Sequence, residues 1–101
     1  MDLTLMTDKE ILKLIASRAK KVRISHDLRQ SDLSERSAVP LSSVRVFERS
    51  GKISLVYLIK LLRSLSLVEE LDNLFQSADI EDLKATLNEK TEEKQRVRKK
   101  N

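Results

Sequence analysis

Hydroxyl and guanidinium side chains recur through residues 41–49, and they are the groups in this chain best suited to recognising another molecule. Helical spacing would gather them on one outer face with two apolar residues: Leu41, Ser42, Ser43, Arg45, Val46 and Arg49. Hydroxyls suit several base edges, and a guanidinium can donate two parallel hydrogen bonds to guanine in the major groove. The sequence therefore predicts a surface that binds duplex DNA.

The residue types that other chemistries need are scarce. The chain has no Cys, which excludes disulfides, thiolate zinc sites and thiol nucleophiles. His26 is the single histidine, and Asp79, Glu81 and Asp82 lack the glycine and the spacing of a calcium loop. Tyr57 and two Phe residues are too few for base stacking along a single strand. We therefore expect no catalytic residues, no metal site and no cofactor.

Charge is distributed unevenly along the 101 residues. Residues 17–63 carry 11 Lys and Arg against 4 Asp and Glu, whereas residues 67–93 carry 9 acids against 2 bases. Such blocks suggest one face for a polyanion and another for a different partner, with solvated faces as the alternative. No apolar run approaches the roughly 20 residues of a membrane span, and no signal peptide is evident. We therefore expect a cytoplasmic protein.

Helices must position these groups, because the composition is dominated by Leu, Lys, Glu, Ser and Arg. Thr7 and Glu10 have the spacing of a capping box, so a first helix should begin there and end near residues 23–25. Its predicted apolar stripe is Ile11, Leu14, Ile15, Ala19 and Val22.

Two short helices separated by a three-residue break are predicted next, over residues 30–37 and 40–49. The break falls at residues 38–40, because a residue before proline disfavours helical dihedral angles, and Pro40 suits the start of a helix. Gly51 supplies the stop. The predicted inward residues are Leu28, Leu33, Val44 and Phe47.

Ser54 can cap a fourth helix, and residues 68–75 suit a short fifth one. The stripe of the fourth helix is the strongest in the chain: Leu55, Leu58, Ile59, Leu62 and Leu65. Asp79 can cap a further helix, but its stripe fails after Leu87, and the remaining charged residues cannot offset their ordering entropy. The predicted fold is all-α, with a five-helix domain over residues 1–78 and a charged C-terminal helix or tail over residues 79–101.

Residues 30–49 resemble the helix-turn-helix of the XRE family, the Cro and lambda-repressor type. The residues that carry this resemblance, in order, are Gln30, Leu33-Ser34, Ala38, Val39 and Phe47-Glu48-Arg49. Residues 51–55 and the leucines that follow match the family's fourth helix, so the likeness spans about residues 10–75. It implies a DNA-binding fold in which the helix over residues 40–49 recognises the bases.

The resemblance also implies a role for each matching residue. It implies base contacts from Leu41, Ser42 and Arg45. Ser43 and Arg49 would contact the DNA backbone, and Gln30 would lie against a phosphate and could brace the recognition helix. Glu48 would be structural, and we expect it to pair with Arg36.

Two features depart from the family pattern. The turn position usually held by Gly is Ala38, which costs about 1 kcal/mol in a left-handed conformation. Arg29 and Pro40 stand where a capping Ser or Thr is usual, so we expect both helix starts to lack a side-chain acceptor.

Within the XRE family, residues 65–75 and the basic residues 94–100 are similar to HipB-type antitoxins. Those are repressors encoded beside HipA-type serine/threonine kinase toxins, and they bind operator DNA as dimers. The resemblance implies three partners: an inverted-repeat operator duplex, a second copy of the chain and a kinase toxin. We expect the dimer seam near Leu67, Leu71, Leu74 and Phe75. A free-standing phage-type or restriction-control repressor, and a protein-interaction adaptor on the same fold, stay as alternatives.

Overall fold

The computed structural model describes residues 2–76 and 84–89 of the chain. Residues 2–76 form four α-helices: α1 (Asp8–Ser25), α2 (Gln30–Ser37), α3 (Leu41–Ser50) and α4 (Leu55–Ser64). Leu3–Leu5 and Val68–Asn73 are 3-10 helices, and residues 84–89 are helical. No strand occurs among the described residues, so the predicted all-α class is confirmed there.

The chain divides into two compact units, Met1–Glu69 and Glu70–Asn101. The predicted boundary between residues 78 and 79, the Asp79 cap and the basic residues 94–100 lie outside the described residues. No described helix is long and apolar enough to cross a membrane.

The core of the first unit forms where α1 packs on α3 and where α2 packs on both α3 and α4. Leu33, Val44 and Phe47 are at most 2% exposed, as predicted for the inward faces of the two short helices. The inner face of α3 is therefore covered by α1 and α2, and its opposite face is the exposed one. The buried apolar residues are Ala16, Ala19, Leu28, Leu33, Val39, Val44, Phe47, Leu61 and Leu65.

Helix α1 begins as predicted, but Ala19 is the one residue of its predicted stripe that is buried. The Glu10 amide donates to the Thr7 hydroxyl (3.2 Å) and the Thr7 amide donates to the Glu10 carboxylate (3.0 Å), which completes the capping box. Its buried residues are Ala16, Ala19 and Arg23, whereas Ile15 of the predicted stripe is 42% exposed. Apolar residues occur on more than one face of α1, so their spacing could not decide which face meets α3.

Helices α1 and α4 end with a residue in the left-handed conformation, although neither residue is glycine. Asp27 has φ 56° after α1, and Ser66 has φ 59° after α4. At each end the next residue donates to the carbonyl five positions earlier: the Leu28 amide donates to the Arg23 carbonyl (3.2 Å) and the Leu67 amide to the Leu62 carbonyl (2.7 Å). These hydrogen bonds satisfy carbonyls that a helix end would otherwise leave unpaired.

The fourth helix and the segment after it differ in part from expectation. The Ser54 hydroxyl accepts from the Tyr57 amide (3.1 Å), which confirms the cap. Leu65 of the predicted stripe is 1% exposed, as predicted, whereas Leu55 is 66% exposed. Leu61, which the stripe did not include, is also 1% exposed. The predicted fifth α-helix is a shorter 3-10 helix with no buried residue, so no packed apolar face stabilises a longer α-helix there.

Gly51 and Ala38 both adopt the left-handed backbone conformation, so Gly→Ala at one and Ala→Gly at the other make opposite tests of its cost. Gly51 has φ 81°, and a Cβ there would collide with the Leu12 carbonyl oxygen. We expect Gly51→Ala to lower the free energy of unfolding by more than about 2 kcal/mol. We expect Ala38→Gly, at φ 60°, to be neutral or to raise it by up to about 1 kcal/mol. Urea unfolding measures both, and equal losses for the two variants would contradict this account.

Candidate nucleic-acid interface

The predicted contact residues of α3 divide by exposure. Ser42, Arg45 and Arg49 are exposed, and with Val46 they fall at i, i+3, i+4 and i+7, which places them on one face of the helix. Leu41 and Ser43 are half-buried at the start of the helix. The exposed face of α3 therefore presents one hydroxyl, two guanidinium groups and one small apolar side chain.

A buried ion pair joins the inner side of α3 to α1. The Arg23 Nε donates to Glu48 Oε2 (2.7 Å) and its Nη2 donates to Glu48 Oε1 (2.9 Å), with side-chain exposures of only 9% and 5%. The Arg23 Nη1 also donates to the Leu28 carbonyl (2.6 Å). This two-point contact fixes both the distance and the rotation between the end of α1 and the end of α3.

Gln30 extends the same network to α2. Its Nε2 donates to Glu48 Oε1 (3.0 Å), so this one carboxylate contacts side chains from α1 and α2. The hydrogen bond joins the first residue of α2 to α3, in line with the expected bracing role. The amide nitrogen keeps a second N–H, which is the chemical capacity that a phosphate contact would need.

One expectation about this network is wrong. Glu48 pairs with Arg23 and not with Arg36, which is exposed on α2. Arg23 is 8% exposed, so its guanidinium is an interior group and not a surface cation. The spacing in the sequence could have indicated that Arg23 is buried. It lies seven residues after Ala16 and four after Ala19, which places it on the same face of α1 as these two small apolar residues.

Serine hydroxyls hold the three residues between α2 and α3. The Ser34 hydroxyl donates to the Val39 carbonyl (2.7 Å), and the Ser37 hydroxyl donates to the Leu33 carbonyl (2.6 Å). The Val39 amide donates back to the Ser37 hydroxyl (3.2 Å). Ala38 adopts the left-handed conformation that the sequence predicted. Two serine side chains of α2 thus hydrogen-bond the backbone of this turn and fix it before α3 begins.

The start of α2 has an acceptor after all. The Arg29 amide donates to the Asp32 carboxylate (2.8 Å), and the Arg29 Nε donates to the same group (3.2 Å). The hydrogen bond from the Arg29 side chain lowers the pKa of Asp32 below its ordinary value. Pro40, by contrast, provides no side-chain cap at the start of α3, as expected.

A cleft that the sequence did not indicate lies between the outer face of α3 and the start of α4. Its volume is about 290 Å³. Three residues of the predicted outer face of α3 line it: Ser42, Ser43 and Val46. The other lining residues follow the Gly51 turn, which brings them beside α3, so helical periodicity along α3 alone cannot reveal them. The full lining is Ser42, Ser43, Val46, Lys52, Ile53, Ser54 and Tyr57.

The charge on this side of the protein is positive. Glu48 is the only acidic residue in the sequence between Glu35 and Glu69, and it is half-buried with its carboxylate paired to Arg23. Arg45, Arg49 and Lys52 are all exposed. Among the described residues, no group of three or more His, Asp or Glu side chains is placed to hold a metal ion. The interface is therefore suited to a polyanion.

No protein-family profile matches the chain, and no curated protein is significantly similar to it. The exposed face of α3 and the exposed cations Arg45, Arg49 and Lys52 are the features that bear on function.

Removing one partner of the buried ion pair should be costly. Glu48→Ala leaves the Arg23 guanidinium buried without a counterion, so we expect a loss of about 3–5 kcal/mol in the free energy of unfolding. The matched control is Arg29→Ala, which breaks the exposed pair with Asp32 and should cost less than about 1 kcal/mol.

The double variant Arg23→Met/Glu48→Leu should be more stable than Glu48→Ala, because it leaves no unpaired charge. Chemical denaturation of the four proteins checks the series. Similar losses for Glu48→Ala and Arg29→Ala would show that the buried pair does not hold the helices together.

Proposed function

We propose that the protein is a sequence-specific DNA-binding repressor of the Cro and lambda-repressor type. In this proposal α2 and α3 form a helix-turn-helix, and α3 lies in the major groove of duplex DNA. One observation carries it: the exposed face of α3 offers hydroxyl and guanidinium donors, while Glu48, the acidic residue of α3, is paired on the inner side.

Each candidate contact residue has a role that suits its chemistry. Arg45, in the middle of α3, would donate two hydrogen bonds to a guanine edge, and Ser42 and Leu41 would contact neighbouring bases. Arg49, at the end of α3, and Ser43 would contact the DNA backbone. Gln30 would use its second amide N–H on a phosphate while the first stays on Glu48. The ion pair would then keep α3 in the orientation that these contacts need.

We further propose that two copies bind an inverted repeat. Leu74 and Phe75, in the predicted seam, are 57% and 87% exposed, and large exposed apolar side chains are characteristic of association surfaces. In this geometry the half-site centres lie one helical turn apart, about 34 Å.

The similarity of residues 65–75 and 94–100 to HipB-type antitoxins supports a more specific role. We propose a cytoplasmic antitoxin that represses its own operon and binds a HipA-type kinase toxin. A kinase-like reading frame beside the gene, and capture of its product by this protein, would test this role. A free-standing repressor would have no such neighbour.

Two arginine variants can distinguish contacts to the DNA bases from contacts to the DNA backbone. Arg45→Ala should cost about 1–3 kcal/mol on a duplex selected by the protein from a random library, and far less on a scrambled duplex. Arg49→Ala should weaken both duplexes by similar factors and reduce the salt slope by about one unit. The measurement is Kd against salt concentration for each duplex.

Arg63→Ala, on the exposed side of α4, is the matched control and should change neither Kd. If Arg45→Ala and Arg49→Ala lose equal affinity on both duplexes, the placement of α3 in the major groove is wrong. If neither variant loses affinity, the DNA-binding proposal fails and the adaptor on the same fold takes its place.

The oligomeric state can be tested at the proposed seam. The wild-type protein should sediment as a dimer at micromolar concentration and protect two half-sites. Phe75→Ser should raise the dimer dissociation constant at least about tenfold, because two aromatic side chains lose their burial. Leu5→Ser, which changes a residue that is 84% exposed elsewhere in the chain, should leave it unchanged. A monomer that protects a single half-site would contradict the dimer.

A further inference from the structure

The cleft beside α3 is lined by both apolar and polar residues. Its apolar wall is formed by Val46, Ile53 and Tyr57, and the Lys60 ammonium lies 5.9 Å from the centre of the Tyr57 ring. The other lining residues are Ser42, Ser43, Ser54 and Lys52. Val46 is 36% exposed, so its methyl groups are accessible from outside.

Among the described residues, no carboxylate lines the cleft. The charged residues that flank Val46 on α3 are Arg45 and Glu48, and Glu48 is paired with Arg23. An apolar ligand on a polyanion would therefore be complementary to both the wall and the surrounding charge. In the major groove that apolar group is the 5-methyl of a pyrimidine, which thymine carries and which specific proteins recognise by apolar contact.

We propose that the cleft recognises a pyrimidine 5-methyl group in duplex DNA, with Val46 as the specificity-determining residue. This inference rests on the proposed function, because α3 must enter the major groove for Val46 to meet the base. Val46 lies one residue after Arg45 and four after Ser42 on the same face, so it would contact a base next to those that they read. Ile53 and Tyr57, which come from outside α3, would exclude water from the far side of the methyl group.

The test compares bases that differ only by the methyl group. Each thymine of the selected duplex is replaced in turn by uracil, and Kd is measured by gel shift. For the wild-type protein, one thymine in each half-site should respond, with about a fourfold loss of affinity for the buried methyl group. In a second arm, 5-methylcytosine replaces each cytosine, and a gain confined to that arm assigns the cleft to methylated cytosine.

Val46→Ala should bind the thymine and uracil duplexes equally, near the wild-type affinity for the uracil duplex. Val56→Ala is the matched control, since Val56 is 61% exposed on α4 and does not line the cleft; it should discriminate like the wild type. Thermal melts of both variants verify that they fold.

The outcomes separate this inference from the proposed function. Specific duplex binding without a methyl effect in either arm, or an effect that survives in Val46→Ala, overturns the cleft assignment alone. Failure to bind any duplex overturns both.

Discussion

Arg23 and Glu48 meet in the interior of the first unit, where neither charge is well hydrated. Removing two ions from water costs several kcal/mol each, and their attraction offsets that cost only when the geometry is good and the remaining polar atoms are bonded. Here the guanidinium also donates to the Leu28 carbonyl, and the carboxylate also accepts from Gln30. Because a shift of α1, α2 or α3 would break one of these bonds, the three helices are held in one arrangement.

The same pair shapes the outer surface. Val44 and Phe47 are buried on the inner face of α3, and the carboxylate of Glu48 beside them is paired with the Arg23 guanidinium. The exposed side of α3 is left with Arg45 and Arg49 and no competing acid. An interior contact thus determines both the orientation of the outer face and the sign of its charge, which are the two properties that a DNA-binding surface requires.

A chain with a single glycine forms these helix ends in strained backbone. Asp27, Ala38 and Ser66 adopt positive φ, which costs an L-residue about 1–2 kcal/mol unless local bonds offset it. Backbone hydrogen bonds offset the strain after α1 and α4, and the Ser34 and Ser37 hydroxyls bond the Val39 backbone next to Ala38. The turn before α3 is therefore stabilised by two serine side chains of α2.

Local chemistry along the sequence determined where the helices begin and end. The Thr7 and Ser54 caps, the break before Pro40 and the stop at Gly51 act over a few residues, so they could be read without knowing the fold. Only the tertiary structure decided which helix faces are buried and which distant groups pair. Arg23 meets Glu48 across 25 residues, and Val46 shares a cleft with Tyr57, because packing among helices selects one face where periodicity permits several.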